Sequence, residues 1–511
     1  MRPHLVLLHA PSLFDAREIG ARHGLASATV ATSPLFEYYP LGFLTLLEYL
    51  ERHSLDVRII NLAVKEAKSK RFDPRPLIRK LRPMAFGIDL HWLVHADGAL
   101  ETARICKQEH PDIPVIMGGL TASYYWRELI ENPDVDYILR GDSTEEPLVQ
   151  LLRAIEAKRE PADVPNLVWK RGRAQAEACA TLVANPFTYQ PELLDIRVDY
   201  KRLMKHMLRY RDLRGGLLTG FQWSAYAFNM TLFCRGCQMN CLTCGGSNWA
   251  LGRAKLGVRD PEVLAEEIVA TMQLTPHGVG LPGDIRQHEP EKLIEALRRR
   301  KPTRALSFEL NSPGGAEFLA KLASIGPPLD IHMSPESHDE GLRTRYGRCY
   351  TNERLEADIE HILSSGGKAF LFFLIGIPGQ TRQSVIDSVA YAERLLEKWN
   401  GRYPGKLDSN ISPPLPFIDP GSLAFEYPGK TGYRLFARTL AEHRALMRHA
   451  DLREVLNFET DSLSRSEIID VAVEAMDRMI ALRERCGLLK GKWAEKERER
   501  VREARTGGNG R

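Results

Sequence analysis

Four cysteines fall within eleven residues, in the run Thr-Leu-Phe-Cys234-Arg-Gly-Cys237-Gln-Met-Asn-Cys241-Leu-Thr-Cys244-Gly-Gly, and no other feature restricts this 511-residue chain as strongly. The other four, Cys106, Cys179, Cys349 and Cys486, are scattered. A secreted disulfide protein spreads its cysteines as staples, whereas a tight cluster points to metal. Packing alone does not require such density. Structural zinc usually joins two CxxC pairs about a dozen or more residues apart. Thiols on one short loop instead suit an iron–sulfur cubane, whose irons lie a few ångströms apart.

The rest of the chain is organised around that loop. In the first 156 residues, short apolar runs at 5–9, 57–61, 85–89, 115–117 and 137–140 read as buried strands. Amphipathic stretches at 41–53, 74–82, 98–109, 125–131 and 146–156 read as helices between them. Leu100, Ala103 and Cys106 recur at helical spacing, so Cys106 reads as core. Such alternation predicts a doubly wound α/β sheet. Residues 157–225 read as a linker with a hairpin arm at 166–171 and a basic helix at 200–210. From 226 to 425 the alternation returns. Strands are expected at 225–233, 278–281, 306–311, 329–333, 370–375 and 407–411, with helices at 261–272, 291–300, 316–325, 352–363 and 384–398. Six βα units predict a partial barrel with its active face at the carboxyl ends of the strands. Residues 426–511 read as helical, with an apolar series from Ile468 to Leu482 and a charged tail that reads as a solvated helix.

A net charge of +4 over this length calls for no nucleic acid, and no basic face or recognised nucleic-acid module stands outside the tail. The opening LVLLHA reads as a strand rather than a secretion signal, and no apolar run is long enough to span a bilayer. The expected setting is the reducing cytoplasm.

The spacing CxxxCxxC from Cys237 resembles the signature of the radical S-adenosylmethionine (SAM) superfamily. That resemblance implies a [4Fe–4S] cluster held by Cys237, Cys241 and Cys244, with SAM chelating the fourth iron and cleaved to a 5′-deoxyadenosyl radical. Cys234 lies outside the motif and reads as a neighbouring thiol. Further segments are similar to the family's SAM-binding motifs. Gly283 and Asp284 in GLPGD stand where the family has Gly-Gly-Glu, though Pro282 replaces a glycine. Glu309 and Asn311 end the third strand on one face, and Asn311 is implied to reach the ribose. Glu336 and Ser337 in SPESHD resemble the fourth-strand Glu-Ser. Gly376 in LIGIPGQT resembles the adenine-contacting turn.

The front 156 residues resemble the cobalamin-binding domain that precedes many radical SAM modules. The match rests on Pro40, Leu41 and Gly42 in PLGFLTLLEYL, on Gly118, Gly119, Leu120 and Thr121 in VIMGGLTAS, and on Gly141 and Asp142 in ILRGDSTEEP. One departure stands out. Where related domains carry Asp-x-His-x-x-Gly, with His on cobalt, the nearest string has Arg17 in the His place. Arginine is not an ordinary ligand. His91 and His95, after the third strand, read either as corrin-facing or as plain loop residues.

Together the two resemblances imply a cobalamin-dependent methyltransferase acting at an unactivated carbon and using SAM twice. They also leave room for radical ring formation, ring contraction or carbon–carbon joining without methyl transfer, and for a non-catalytic iron–sulfur scaffold. The implied partners are a small-molecule, lipid or peptide substrate and a low-potential donor such as flavodoxin or ferredoxin. Tyr346, Arg348 and Tyr350 read as a surface turn that could line the site.

Overall fold

The computed structural model describes residues 2–12, 41–68, 72–171, 181–212, 228–413, 418–449 and 451–505. Pro40 and the string containing Arg17 lie outside these residues, as do positions 225–227 of the expected barrel strand.

The front sheet has seven strands: β1 (Leu5–His9), β2 (Val57–Asn61), β3 (Ala85–Asp89), β4 (Val115–Gly118), β5 (Tyr137–Leu139), β6 (Leu167–Arg171) and β7 (Thr181–Ala184). Their order is β2-β1-β3-β4-β5-β6-β7, parallel from β2 to β5 and antiparallel across β5–β6 and β6–β7. Alternation along β1 sends Val6 and Leu8 into one apolar cluster and Leu5 and Leu7 into the other. Both faces are therefore covered, as a parallel sheet requires. The hairpin expected in a linker is part of this sheet, which runs to Ala184 rather than stopping at residue 156.

The second sheet holds β8 (Phe228–Met230), β11 (Gly278–Asp284), β12 (Leu306–Leu310), β13 (Leu329–Glu336), β14 (Lys368–Leu374) and β15 (Leu407–Ser412). All neighbours are parallel, in the order β15-β14-β13-β12-β11-β8, which is a partial barrel of six strands. A short antiparallel pair, β9 (Cys234–Arg235) with β10 (Gly257–Val258), frames the cysteine loop.

Along β14, Ala369, Leu371 and Phe373 are buried against the helices, while Phe370 and Phe372 are half-buried on the opposite face. His332 stands opposite Phe370 and Asn410 opposite Phe372, so the concave inner face of the barrel carries an aromatic strip.

The expectation of an all-helical end from residue 426 is overturned by an antiparallel pair, β16 (Tyr433–Leu435) with β17 (Phe458–Thr460). Gly432, at φ +80°, makes the bend that opens β16, and Tyr433 stacks edge-on against Phe458. Helix Arg465–Arg485 packs along β15, where Arg483 donates to Asp408 at 2.8 and 2.9 Å. Helix Leu440–Met447 turns back onto the front unit: Leu440 and Met447 join its core, and Arg444 donates to Asp97.

Among the described residues no helix is long and apolar enough to cross a membrane.

Candidate active site

The cysteine loop leaves the barrel after β8 and returns before helix Pro261–Leu274, whose first turn is capped by Asp260. Gly236, at φ +81°, is required there because a Cβ would lie 2.1 Å from Asn248 Oδ1. The Asn248 N–H donates to the Cys237 carbonyl at 2.8 Å and Cys244 N–H to the Cys241 carbonyl at 3.1 Å. Gln287 Oε1 accepts from Gln238 N–H, Asp419 accepts from Gly245 N–H, and the Thr243 and Tyr346 hydroxyls bond at 2.7 Å. The loop is thus pinned to the ends of several strands.

Burial pushes the Cys244 thiol up to about 12 and also raises Cys241. Both feel Cys237 electrostatically, so the three sulfurs share one pocket. Gly246 N–H donates to Cys244 Sγ at 3.4 Å. Three mutually close thiols on a pinned loop fit a cluster, which would displace their protons on binding. Cys234 sits aside, on β9, with its thiol pushed up to about 12 by burial and directed at the Gly236 carbonyl.

Two proline-containing bulges shape the barrel rim next to the loop. The β11–β12 register shifts between Leu281 and Asp284, and the β13–β14 register between Met333 and Glu336. Pro282 and Pro335 lack the ladder N–H, which explains both shifts. At the first bulge Gly283 adopts φ +89° and donates its N–H to Glu309 Oε2 at 2.6 Å, with Glu309 exposed. Asp284 is buried and committed: it accepts from Asn311 N–H at 2.9 Å and pairs with Arg286.

At the second bulge Glu336 takes φ +64° in a γ-turn closed by Ser337 N–H to the Pro335 carbonyl at 2.7 Å. This region is costly for a residue with a Cβ. Arg348 donates to Glu336 at 3.0 Å and to the Asn311 carbonyl at 3.1 Å. Ser337 is fully buried, and its hydroxyl accepts from Asp339 N–H. Gly376, at φ +90°, is also buried; its N–H donates to Gln380 Oε1, and a Cβ would come 3.0 Å from Phe458. Glu309, Asn311, Glu336 and the Gly283 backbone are therefore gathered at one rim, while Ser337 and Gly376 are spent on packing. Tyr346, Arg348 and Tyr350, read from sequence as a surface turn, are all buried.

The carboxyl edge of the front sheet faces this loop. Gly119, at φ +112°, is packed: a Cβ would lie 2.7 Å from the Leu90 carbonyl oxygen. Gly42 is open, a Cβ on Gly118 would meet only the Leu139 carbonyl oxygen at 3.7 Å, and Leu41 and Leu120 are half-buried. Thr121 Oγ donates to the His91 carbonyl and Ser123 Oγ accepts from Gly141 N–H. Trp92 and Tyr124 are each 37% exposed after β3 and β4, aromatic surface that a planar macrocycle would cover. His91 is half-buried, and burial lowers its imidazole to about 4. His95, by contrast, is wholly buried rather than a plain loop residue.

Two ion pairs close the joint. Arg253 donates to Asp142 at 2.7 Å, and Arg235 to both oxygens of Glu145, to Ser143 and to Thr45. Asp142, expected to bind a cofactor, is paired with Arg253 at the end of the cysteine loop. Arg235 and Glu145 both lie in motif segments, but nothing in the sequence signals that they pair.

A partial barrel with this loop, carried behind a doubly wound sheet that presents its ligand edge to it, defines a radical SAM protein with a corrin-type front domain. The comparisons agree: residues 231–392 match the radical SAM superfamily and residues 28–151 the B12 binding domain, and the chain belongs with the radical SAM enzymes that carry that domain. It is similar to a protein described as uncharacterized methyltransferase PH0819 of Pyrococcus horikoshii, at 23% identity over 70% of this chain and 73% of that one. It is also similar to anaerobic magnesium-protoporphyrin IX monomethyl ester cyclase of Rubrivivax gelatinosus, at 29% identity over 36% of this chain and 30% of that one. Among solved structures, the radical SAM methyltransferase TsrM of Kitasatospora setae, with cobalamin and a [4Fe–4S] cluster bound, superposes with a TM-score of 0.62 at 16% identity over 99% of both chains.

Proposed function

We propose that this enzyme transfers a methyl group to a carbon of a small-molecule, lipid or peptide substrate, using SAM and cobalamin. The observation that carries this reading is the joint itself, in which Arg235, between two cysteines of the loop, reaches Glu145 in the front domain. When bound, the cluster with SAM supplies radical generation and the corrin supplies a methyl carrier.

The chain's own groups then have defined tasks. Cys237, Cys241 and Cys244 hold three irons and leave the fourth open. The Gly283 backbone, Glu309, Asn311 and Glu336 orient SAM at the rim. Gly42, Gly118 and Thr121 border the corrin. His332, Phe370 and Phe372 face the concave side of the barrel and would flank a substrate there. The methyltransferase relative of Pyrococcus horikoshii and the fold shared with TsrM support this assignment. A low-potential one-electron donor of the flavodoxin or ferredoxin class, in reducing cytoplasm, completes it. The likeness to the cyclase favours a second reading, radical ring closure on the same machinery.

The test is an anaerobic assay of reconstituted protein with SAM, a reductant and hydroxocobalamin, read by corrin absorbance and chromatography. Bound corrin with both 5′-deoxyadenosine and S-adenosylhomocysteine, lost in Cys241→Ala, is expected. 5′-Deoxyadenosine without stoichiometric S-adenosylhomocysteine would select the cyclising reading. SAM cleavage without bound corrin would sink methyl transfer, and no cleavage under any reductant would leave a scaffold.

A further inference from the structure

His9 ends β1, Asp89 ends the adjacent β3, and His95 follows on the short turn Leu93–His95. Strand register places Leu8 beside Ile88, so His9 and Asp89 are brought side by side by the sheet itself. His9 Nδ1 lies 3.0 and 3.1 Å from the two Asp89 oxygens, and the His9 and His95 rings meet edge-on at 5.0 Å. One donor atom from each of the three residues lies within 4.8 Å of the other two. His9 and His95 are fully buried and Asp89 is 7% exposed.

A buried carboxylate needs a cation. A histidine–aspartate pair is complete by itself; a second imidazole adds a nitrogen donor that the pair does not require. Burial pushes His95 well below the ordinary histidine range, which keeps it in the neutral, ligating form. Two imidazoles and a carboxylate are a ligand set of zinc and iron(II). Tetrahedral ligands at about 2.1 Å from one ion stand about 3.4 Å apart, so a pair of donors as far apart as 4.8 Å closes by about 1.4 Å, shared between the side chains.

We propose that His9, Asp89 and His95 bind a single divalent transition-metal ion of the zinc or iron(II) class at the carboxyl edge of the front sheet, separate from the cysteine loop. The site stands whether or not the enzyme transfers methyl groups.

Zinc is the probe. Full-length protein with its cluster reconstituted is cleared of loose metal with a chelator, titrated with zinc, and read by metal analysis and zinc-edge X-ray absorption. One zinc per chain on nitrogen and oxygen donors at about 2.0–2.1 Å, without sulfur scattering, is expected. His95→Gln and Asp89→Asn should each weaken it at least about tenfold at unchanged iron content and circular dichroism. Because buried variants can misfold, the wild-type arm decides alone. No zinc retained, or zinc at a sulfur distance of about 2.3 Å, overturns the proposal. A third readout uses protein loaded with cobalamin and reduced to the Co(II) state. A nitrogen superhyperfine splitting that vanishes in His95→Gln would give this imidazole to the corrin cobalt and also overturn the separate ion.

Discussion

Arg235 and Glu145 form a two-pronged pair, at 2.7 and 2.9 Å, between a loop of the barrel and the first turn of a front-domain helix. Ninety residues separate them in sequence. Glu145 is 1% exposed; burial alone would raise its carboxyl, but Arg235 and the Thr45 hydroxyl hold it below the usual range. Removing one partner strands a buried charge, at a cost of about 3–5 kcal/mol. Glu145→Gln should therefore lower the urea midpoint and expose the 234–253 loop to protease. An unchanged midpoint and digestion pattern would show that the joint contributes nothing.

The cysteines divide into three and one. Serine at position 237, 241 or 244 should abolish the charge-transfer absorbance of the cluster and drop bound iron to background. Cys234→Ser should keep both, since its thiol lies on β9 outside the ligand set. Iron and sulfide analysis of the four variants checks this, and a loss of iron in Cys234→Ser would refute the division.

Glu336 offers a comparison of two truncations. Alanine and glycine both strand the Arg348 guanidinium, but only alanine keeps a Cβ at φ +64°. Glu336→Gly should be more stable than Glu336→Ala by about 1 kcal/mol, the reverse of the order found in ordinary strand positions. Denaturant titration of the two would reveal an opposite order if the turn relaxes.

Acid should loosen the chain through two buried histidines. Burial lowers His206 and His443 to about 4 each. Both rings accept at Nε2, from Ile59 N–H and from the Asn457 amide. Their ordinary value is near 6.5, so the unfolded chain binds these protons first. The stability they give is complete above about pH 6.5 and is lost as pH falls toward 4; at pH 5 the two account for about 4 kcal/mol. The urea midpoint of cluster-free protein should drop clearly between pH 7.5 and pH 5, and an unchanged midpoint would mean that both rings titrate normally.

Much of this architecture was legible in sequence where the local signal was strong. β1, β2 and β3 fall where apolar runs predict them, because a parallel sheet buried on both faces leaves an uninterrupted mark. The cysteine spacing marked the loop. Pro282 and Pro335 lie just past the expected strand ends at 281 and 333, whereas the structure carries both strands through them as bulges. What escaped was carried by distance in the chain or by brevity. The three-residue strands β16 and β17 show no period, and β6–β7 looked like an arm because an edge pair reveals its sheet only through its partner. Asp142 carried a family-like motif, yet its charge is used by Arg253, 111 positions away. The inner strip of His332, Phe370 and Phe372 was hidden because β14 is apolar on both faces.

The return of helix Leu440–Met447 to the front unit bears on how the molecule is made. Its Arg444 reaches Asp97, and Tyr125 donates to the Arg438 carbonyl, closing a circuit from the first strands to the last quarter of the chain. During synthesis from the amino end, the front sheet is fully available once Ala184 has emerged, but this part of its surface stays bare until the ribosome has passed the barrel. The nascent front domain thus carries an open apolar seam through about half of translation, until the segment that bridges the two units emerges to seal it.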